Sequence, residues 1–236
     1  MNRLQALIVT RCDIKDCLEN ETYCLDDLQT EINKGNELKA SCIVSGLMYM
    51  YKTQTVLDIH QHDDLVYGTY SDETYFFIAF KGSSNVSDFI TNIKFIQKDD
   101  SFGIPGEIHG GFYNVLENRF HDIVNMMRGH ETKKIIITGH SLGGALATIL
   151  FSYFLVHHPS IQSNLYTFGS PRVGDKAFST FVSESNRATR IVNRGDLVAM
   201  IPVFDYFHHD QKKSIGKTWW LPSIKSHMIS EYLKNL

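Results

Sequence analysis

Residues 134–147 read KIIITGHSLGGALA, a β-branched run, a cluster of small residues and then an apolar stretch. Lys134 to Thr138 has the composition of a buried strand and Leu142 to His157 that of a helix, so Gly139 to Gly144 must turn the chain between them. The turn carries G-x-S-x-G with Ser141 at its centre. A serine hydroxyl is a weak nucleophile at neutral pH and must be presented to a base. A sharp strand-to-helix turn presents it, and the flanking glycines keep other side chains away. The positive end of the following helix also points at the site. Such a triplet arises by chance in roughly one chain in twelve of this length. Its weight therefore comes from the setting: the strand before it, the helix after it, and Gly144, Ala145 and Ala147, which let that helix pack closely.

Outward from this turn the same alternation recurs. Residues 26–52 read as helix with a break near Gly35, and Leu65 to Tyr70 and Tyr75 to Phe80 read as a hairpin around Ser71, Asp72, Glu73 and Thr74. Phe112 to Arg128 has apolar residues at helical spacing. After the 142–157 helix come a strand at Asn164 to Phe168, a helix near Lys176 to Ser185 and a strand at Thr189 to Asn193. Helices alternating with short apolar strands predict an α/β fold with a mostly parallel central sheet. No repeat, low-complexity tract or linker interrupts residues 1–236, so one domain is expected.

In folds with this nucleophile turn the partners follow in the order Ser, Asp or Glu, His. The strand ending at Asn193 runs into Arg194, Gly195 and Asp196, which makes Asp196 the candidate acid, able to orient a histidine and stabilise its charged form. After it only His208, His209 and His227 remain as candidate bases, and local pattern does not choose between them. A tetrahedral intermediate also needs two donors around its oxygen. One is the backbone N–H of Leu142; the exit of an earlier strand, Phe80-Lys81-Gly82-Ser83, offers Ser83 as the other.

Composition narrows the partners. At 43% hydrophobic, 21% charged and a net charge of −3, the 236-residue chain has no basic field for nucleic acid or an anionic membrane. No stretch approaches the roughly 20 apolar residues of a transmembrane helix, so any membrane contact would be peripheral. The N-terminal apolar run, Leu4 to Val9, is too short for a signal-peptide core, and a cytoplasmic location is expected. On those compartment grounds Cys12, Cys17, Cys24 and Cys42 are expected to be reduced thiols.

Taken in order, the motifs resemble the class 3, or fungal-lipase-like, family of α/β-hydrolases from about residue 40 onward. Phe80-Lys81-Gly82-Ser83 is similar to that family's F-R-G-[ST], His109-Gly110-Gly111-Phe112 to its V-H-x-G-F, and Gly139 to Gly144 to its G-H-S-L-G-G. Thr167 to Asp175 resembles T-F-G-x-P-R-V-G-[ND], and Arg190 to Pro202 resembles R-x-V-N-x-x-D-x-V-x-x-x-P, with Asp196 at the acid. The resemblance also implies a choice of base: Tyr206-Phe207-His208 looks like a structural Y-x-H ahead of Trp219 or Trp220, whereas His227, five residues before Tyr232, looks like the catalytic H-x-x-x-x-Y-L. Lys81 stands where the family has arginine, and Ile108 where it has valine.

The resemblance implies an α/β-hydrolase that cleaves carboxylic esters of lipids, acylglycerols first, through an acyl-enzyme on Ser141. His227 would be the base, Asp196 its orienting acid, and Ser83 and Leu142 the oxyanion donors. Alternatives are a phospholipase acting at the first acyl position, a feruloyl-type esterase, or a catalytically idle interaction module. Val86, Phe89, Ile90 and Ile93 fall on one face of an amphipathic stretch; by itself this describes any surface helix, but the resemblance implies a lid over residues 84–96. No cofactor or metal is expected. His60, His62, Asp63 and Asp64 read as a solvated turn before the first strand, and neighbours such as His208, His209 and Asp210 rarely converge on one ion.

Overall fold

The computed structural model describes residues 25–92, 97–98, 102–217 and 222–236. Seven strands lie side by side in chain order: β1 (Asp58–His62), β2 (Leu65–Ser71), β3 (Tyr75–Phe80), β4 (Lys134–His140), β5 (Ser163–Phe168), β6 (Ala188–Asn193) and β7 (Lys212–Ile215). The first three pair antiparallel, with Tyr67 opposite Phe80, and β3 through β7 run parallel. A mostly parallel sheet needs cover on both faces. Alternating side chains supply two cores: Phe76, Ile78, Phe80, Ile135 and Ile137 face one side, Phe77, Ala79 and Ile136 the other.

Helices α1 (Leu25–Asn33) and α2 (Glu37–Leu47) come first among the described residues, and the short α3 (Val86–Asn92) follows β3. Next come α4 (Gly110–Leu116), α5 (Phe120–Met126), α6 (Leu142–His157), α7 (Lys176–Glu184) and α8 (Ile229–Asn235). The first core joins the sheet to α4, α5, α6 and α7; the second joins it to α1, α2 and α8. Caps follow sequence: Asn36 accepts from Lys39 N ahead of α2, and Asp175 from Phe178 N ahead of α7. No helix among the described residues is long and apolar enough to cross a membrane.

Two expectations change, and one strand is added. The predicted 112–128 helix is two, broken at residues 117–119, where Arg119 leaves helical backbone and Phe120 stacks on Tyr153 at 4.4 Å. Asn118, a poor helix former, sits at the break. His60 and His62 are not in a solvated turn but in edge strand β1, against Tyr67; Asp63 and Asp64 make the turn that follows. The second edge, β7, also went unread, for both edges are polar and lack the apolar alternation of half-buried strands.

At the N-terminal edge of the parallel strands, Glu37 ties α2 to three of them. It accepts from Tyr75 Oη (3.1 Å), Lys134 Nζ (2.6 Å), Asn164 Nδ2 (3.2 Å) and Tyr166 Oη (3.0 Å). Burial alone would raise its pKa, but the bonds from Lys134 and Tyr166 outweigh it and hold the carboxyl below its ordinary value. A depressed folded-state pKa stabilises above the unfolded value, and that contribution fades as pH falls through the folded value. Glu37→Gln should therefore cost about 2 kcal/mol at pH 7, with the gap from the parent narrowing at pH 3.5. Urea titrations at both values check this; a gap that widens in acid would contradict it.

Candidate active site

The C-terminal ends of β3, β4 and β6 lie along one edge of the sheet, and the candidate residues leave from those ends. Ser141 follows β4 immediately and is the residue before α6. Its backbone sits at φ 58 and ψ −130, a region that costs a non-glycine residue about 1–3 kcal/mol. The surroundings enforce it. Ser141 N donates to Phe168 O at 2.9 Å, and a Cβ on Gly139 would collide with the Gly143 carbonyl, so the turn crosses itself with no room for larger residues. Leu142 N begins the helix, where an N–H has no intrahelical acceptor.

Asp196 and His227 meet in the interior, both side chains fully buried. His227 Nδ1 lies 2.9 and 2.8 Å from the two carboxylate oxygens. A carboxylate can only accept, so Nδ1 carries the proton and Nε2 is left as the basic nitrogen. Asp196 Oδ1 also accepts from Val198 N (2.8 Å) and Ala199 N (3.3 Å), while Oδ2 accepts from Tyr232 Oη (2.5 Å). His227 itself closes a short 3-10 turn ahead of α8, fixed to the acid's loop by Ser223 N to Gly195 O and Asn193 Nδ2 to Ser226 O. Ser141 Oγ and His227 Nε2 are buried and without a hydrogen-bond partner among the described residues, so they are not yet bonded to each other.

The other candidate bases lie elsewhere. His208 Nε2 donates to Ala199 O at 2.7 Å, and His209 O accepts from Arg190 Nε at 2.8 Å. Burial, and after it the Arg190 charge, push both rings down to about 3, so they stay neutral. His140, passed over in the sequence because it precedes the acid, has a different place. Its Nε2 donates to the His227 carbonyl and its Nδ1 accepts from Tyr49 Oη, each at 2.6 Å. Burial and the neighbouring His227 hold its pKa well below the ordinary value. The neutral ring thus fixes the backbone of His227 from behind. Nothing in the sequence marked Tyr49 for this; Tyr232 stood inside a quoted motif, but its bond to Asp196 had no sequence signal.

The loop after β3 passes over the serine so closely that a Cβ on Gly82 would lie 3.2 Å from Ser141 Cβ. Lys81 secures it, donating to Gly82 O (3.2 Å) and Ser84 Oγ (2.7 Å) over the rings of Tyr49 and Tyr51. The Ser83 hydroxyl donates to Asn85 O and accepts from Asn85 N, which commits it to the turn entering α3. On α3, Val86 is buried, Ile90 is half-buried, and Phe89 stacks on Phe112 at 6.2 Å. Ile93, Trp219 and Trp220 lie outside the described residues. No group of three metal-ligating side chains gathers among the described residues.

The family model for lipase (class 3) matches residues 77–206. A secreted mono- and diacylglycerol lipase 1 of Fusarium solani is 34% identical over 164 residues, 65% of this chain and 47% of that protein. A lipase of Rhizomucor miehei is 30% identical over 155 residues, 61% of this chain and 41% of that protein. The chain therefore spans less than half the length of these relatives. In structure, the native Rhizomucor miehei lipase propeptide complex matches with a TM-score of 0.65 at 23% identity, over 80% of this chain and 69% of that one.

The first relative's name as a secreted enzyme contradicts the expected cytoplasmic location. That expectation rested on the length of one apolar run, Leu4 to Val9, and such a length carries no information about export by other means. The run and Cys12, Cys17 and Cys24 lie outside the described residues; Cys42 is a buried free thiol.

Proposed function

Because the chain belongs to the class 3 lipase family, we propose that it is a serine hydrolase cleaving the carboxylic esters of acylglycerols through an acyl-enzyme on Ser141. The observation that carries this reading is the forced backbone of Ser141 at φ 58, set between a buried strand and a helix N-terminus. Strain at a non-glycine residue persists where the fold over-determines it, as it does at a nucleophile's turn. The shared sheet and its two cores support one α/β-hydrolase domain.

The steps follow from the hydrogen bonds. His227 Nε2 takes the Ser141 proton as Oγ adds to the ester carbonyl. Asp196 accepts from Nδ1 and stabilises the imidazolium. The oxyanion is held by the N–H groups of Leu142 and Ser83. Collapse returns the proton to the leaving alcohol and leaves an acyl-serine, which water opens by the same sequence in reverse. Substrate must first reach a serine that is completely buried. We assign that gating to the 84–96 stretch on its described part, residues 84–92, where Val86, Phe89 and Ile90 turn toward the cores and would meet lipid on opening; residues 93–96 lie outside the described residues.

The test is a p-nitrophenyl ester series from butyrate to palmitate, run beside labelling with a fluorophosphonate. Hydrolysis is expected, rising with chain length once detergent or emulsion is present, with the adduct on the Ser141 peptide. Preference for phospholipid or feruloyl esters would move the substrate class. An inert, unlabelled protein under all conditions would leave the interaction module as the reading.

A further inference from the structure

The described surface carries few exposed large apolar side chains, and four of them sit on one segment: Met200, Val203, Phe204 and Phe207, with Phe204 77% exposed. The segment continues directly from the acid. Asp196 accepts from the N–H groups of Val198 and Ala199, so residues 200–207 emerge from the sheet edge that holds the serine turn.

These side chains are exposed on a backbone that is tied down. Arg172 Nη1 donates to Met200 O (2.7 Å) and Pro202 O (2.6 Å), and Arg172 N to Ile201 O (2.8 Å). Phe207 N donates to Gly174 O at 2.8 Å. Tyr206 points inward, 3% exposed, its ring 5.5 Å from that of His109. His109 stacks on Phe112 and Phe112 on Phe89, so an unbroken aromatic row joins this loop to α3. A loop so fixed loses little freedom when its tips are buried, which favours binding.

We propose that residues 200–207 are a fixed anchor that inserts Phe204 and its apolar neighbours into the surface of a neutral-lipid phase beside the α3 entrance. This rests on the acylglycerol reading of the site. Two features choose that occupant. The patch is four apolar side chains, 44–77% exposed and rimmed by polar residues as interaction sites are, against the roughly 20–30 residues that each partner gives to a stable protein dimer. The rim mixes Arg172 and Lys176, the latter over the Phe207 ring, with Asp205 at the tip. With a net charge of −3 on the chain, this is no basic field for an anionic bilayer.

The experiment measures partition of Ser141→Ala protein onto a triolein emulsion by flotation, with and without Phe204→Ser. The substitution should lower the partition coefficient by about tenfold, with the thermal midpoint unchanged because the side chain is exposed. An unchanged partition coefficient overturns the anchor. A change in solution mass by light scattering, with partition unaltered, also overturns it and gives the patch to a second copy. Triolein hydrolysis by protein retaining Ser141 is scored separately. Phe204-dependent partition without hydrolysis keeps the anchor and removes the acylglycerol reading; hydrolysis with Phe204-independent partition does the reverse.

Discussion

Ser141→Ala is expected to lower turnover of p-nitrophenyl butyrate by about 10⁵-fold while leaving the protein folded and harder to unfold. The size of the loss follows from the mechanism: without Oγ no acyl-enzyme forms, and only donors and binding remain to assist water, which leaves a small residual rate. The stability side follows from two observations. The hydroxyl is buried without a partner among the described residues, so deleting it removes an uncompensated polar group. The backbone at φ 58 is strained for any residue with a Cβ, and Ser141→Gly should therefore be the more stable of the two variants by about 1 kcal/mol. Activity assays and thermal unfolding on the same preparations check both halves. Alanine protein that retained a tenth of the activity would move the nucleophile elsewhere.

Where the sequence could be read and where it could not divides along physical lines. The serine turn, the inner parallel strands and α6 were legible because each is decided locally: β-branched runs, an apolar helix and a glycine-rich step between them. The edge strands were not, because Asp58–His62 and Lys212–Ile215 have one neighbour each and need little apolar surface. Local pattern also left His208, His209 and His227 level, since what separates them is the approach to Asp196 of a residue 31 positions away in the chain. The supports of the pair, Tyr49 behind His140 and Tyr232 on Asp196, are long-range hydrogen bonds with no periodicity to betray them. The apolar tips at 200–207 are a surface property, and surface is what burial patterns leave unspecified.

The second large effect concerns the acid. As a carboxylate, Asp196 accepts from four groups at once, two backbone N–H groups, a phenol and the His227 ring, and gives nothing back. Asparagine has one oxygen and one NH₂. If the oxygen keeps the bonds from Val198 N and Ala199 N, the NH₂ faces His227 Nδ1, which must then accept. The ring proton moves to Nε2, and the nitrogen that should take the serine proton is already occupied. Asp196→Asn should therefore reduce kcat by about 10⁴-fold at pH 7 with the fold intact. Tyr232 supplies the contrast. Burial, and then the charge of Asp196, push its pKa well up, so it is a donor throughout the working range. Tyr232→Phe removes that one bond and leaves Asn193 N without its acceptor, yet the tautomer of His227 is untouched. It should cost about 1–3 kcal/mol of stability and no more than about tenfold in kcat. Imidazole nitrogen NMR distinguishes the two: Nδ1 stays protonated in Tyr232→Phe and loses its proton in Asp196→Asn. If instead the asparagine protein kept Nδ1–H and lost less than tenfold in rate, Asp196 would be holding the loop together, with no part in orienting the base.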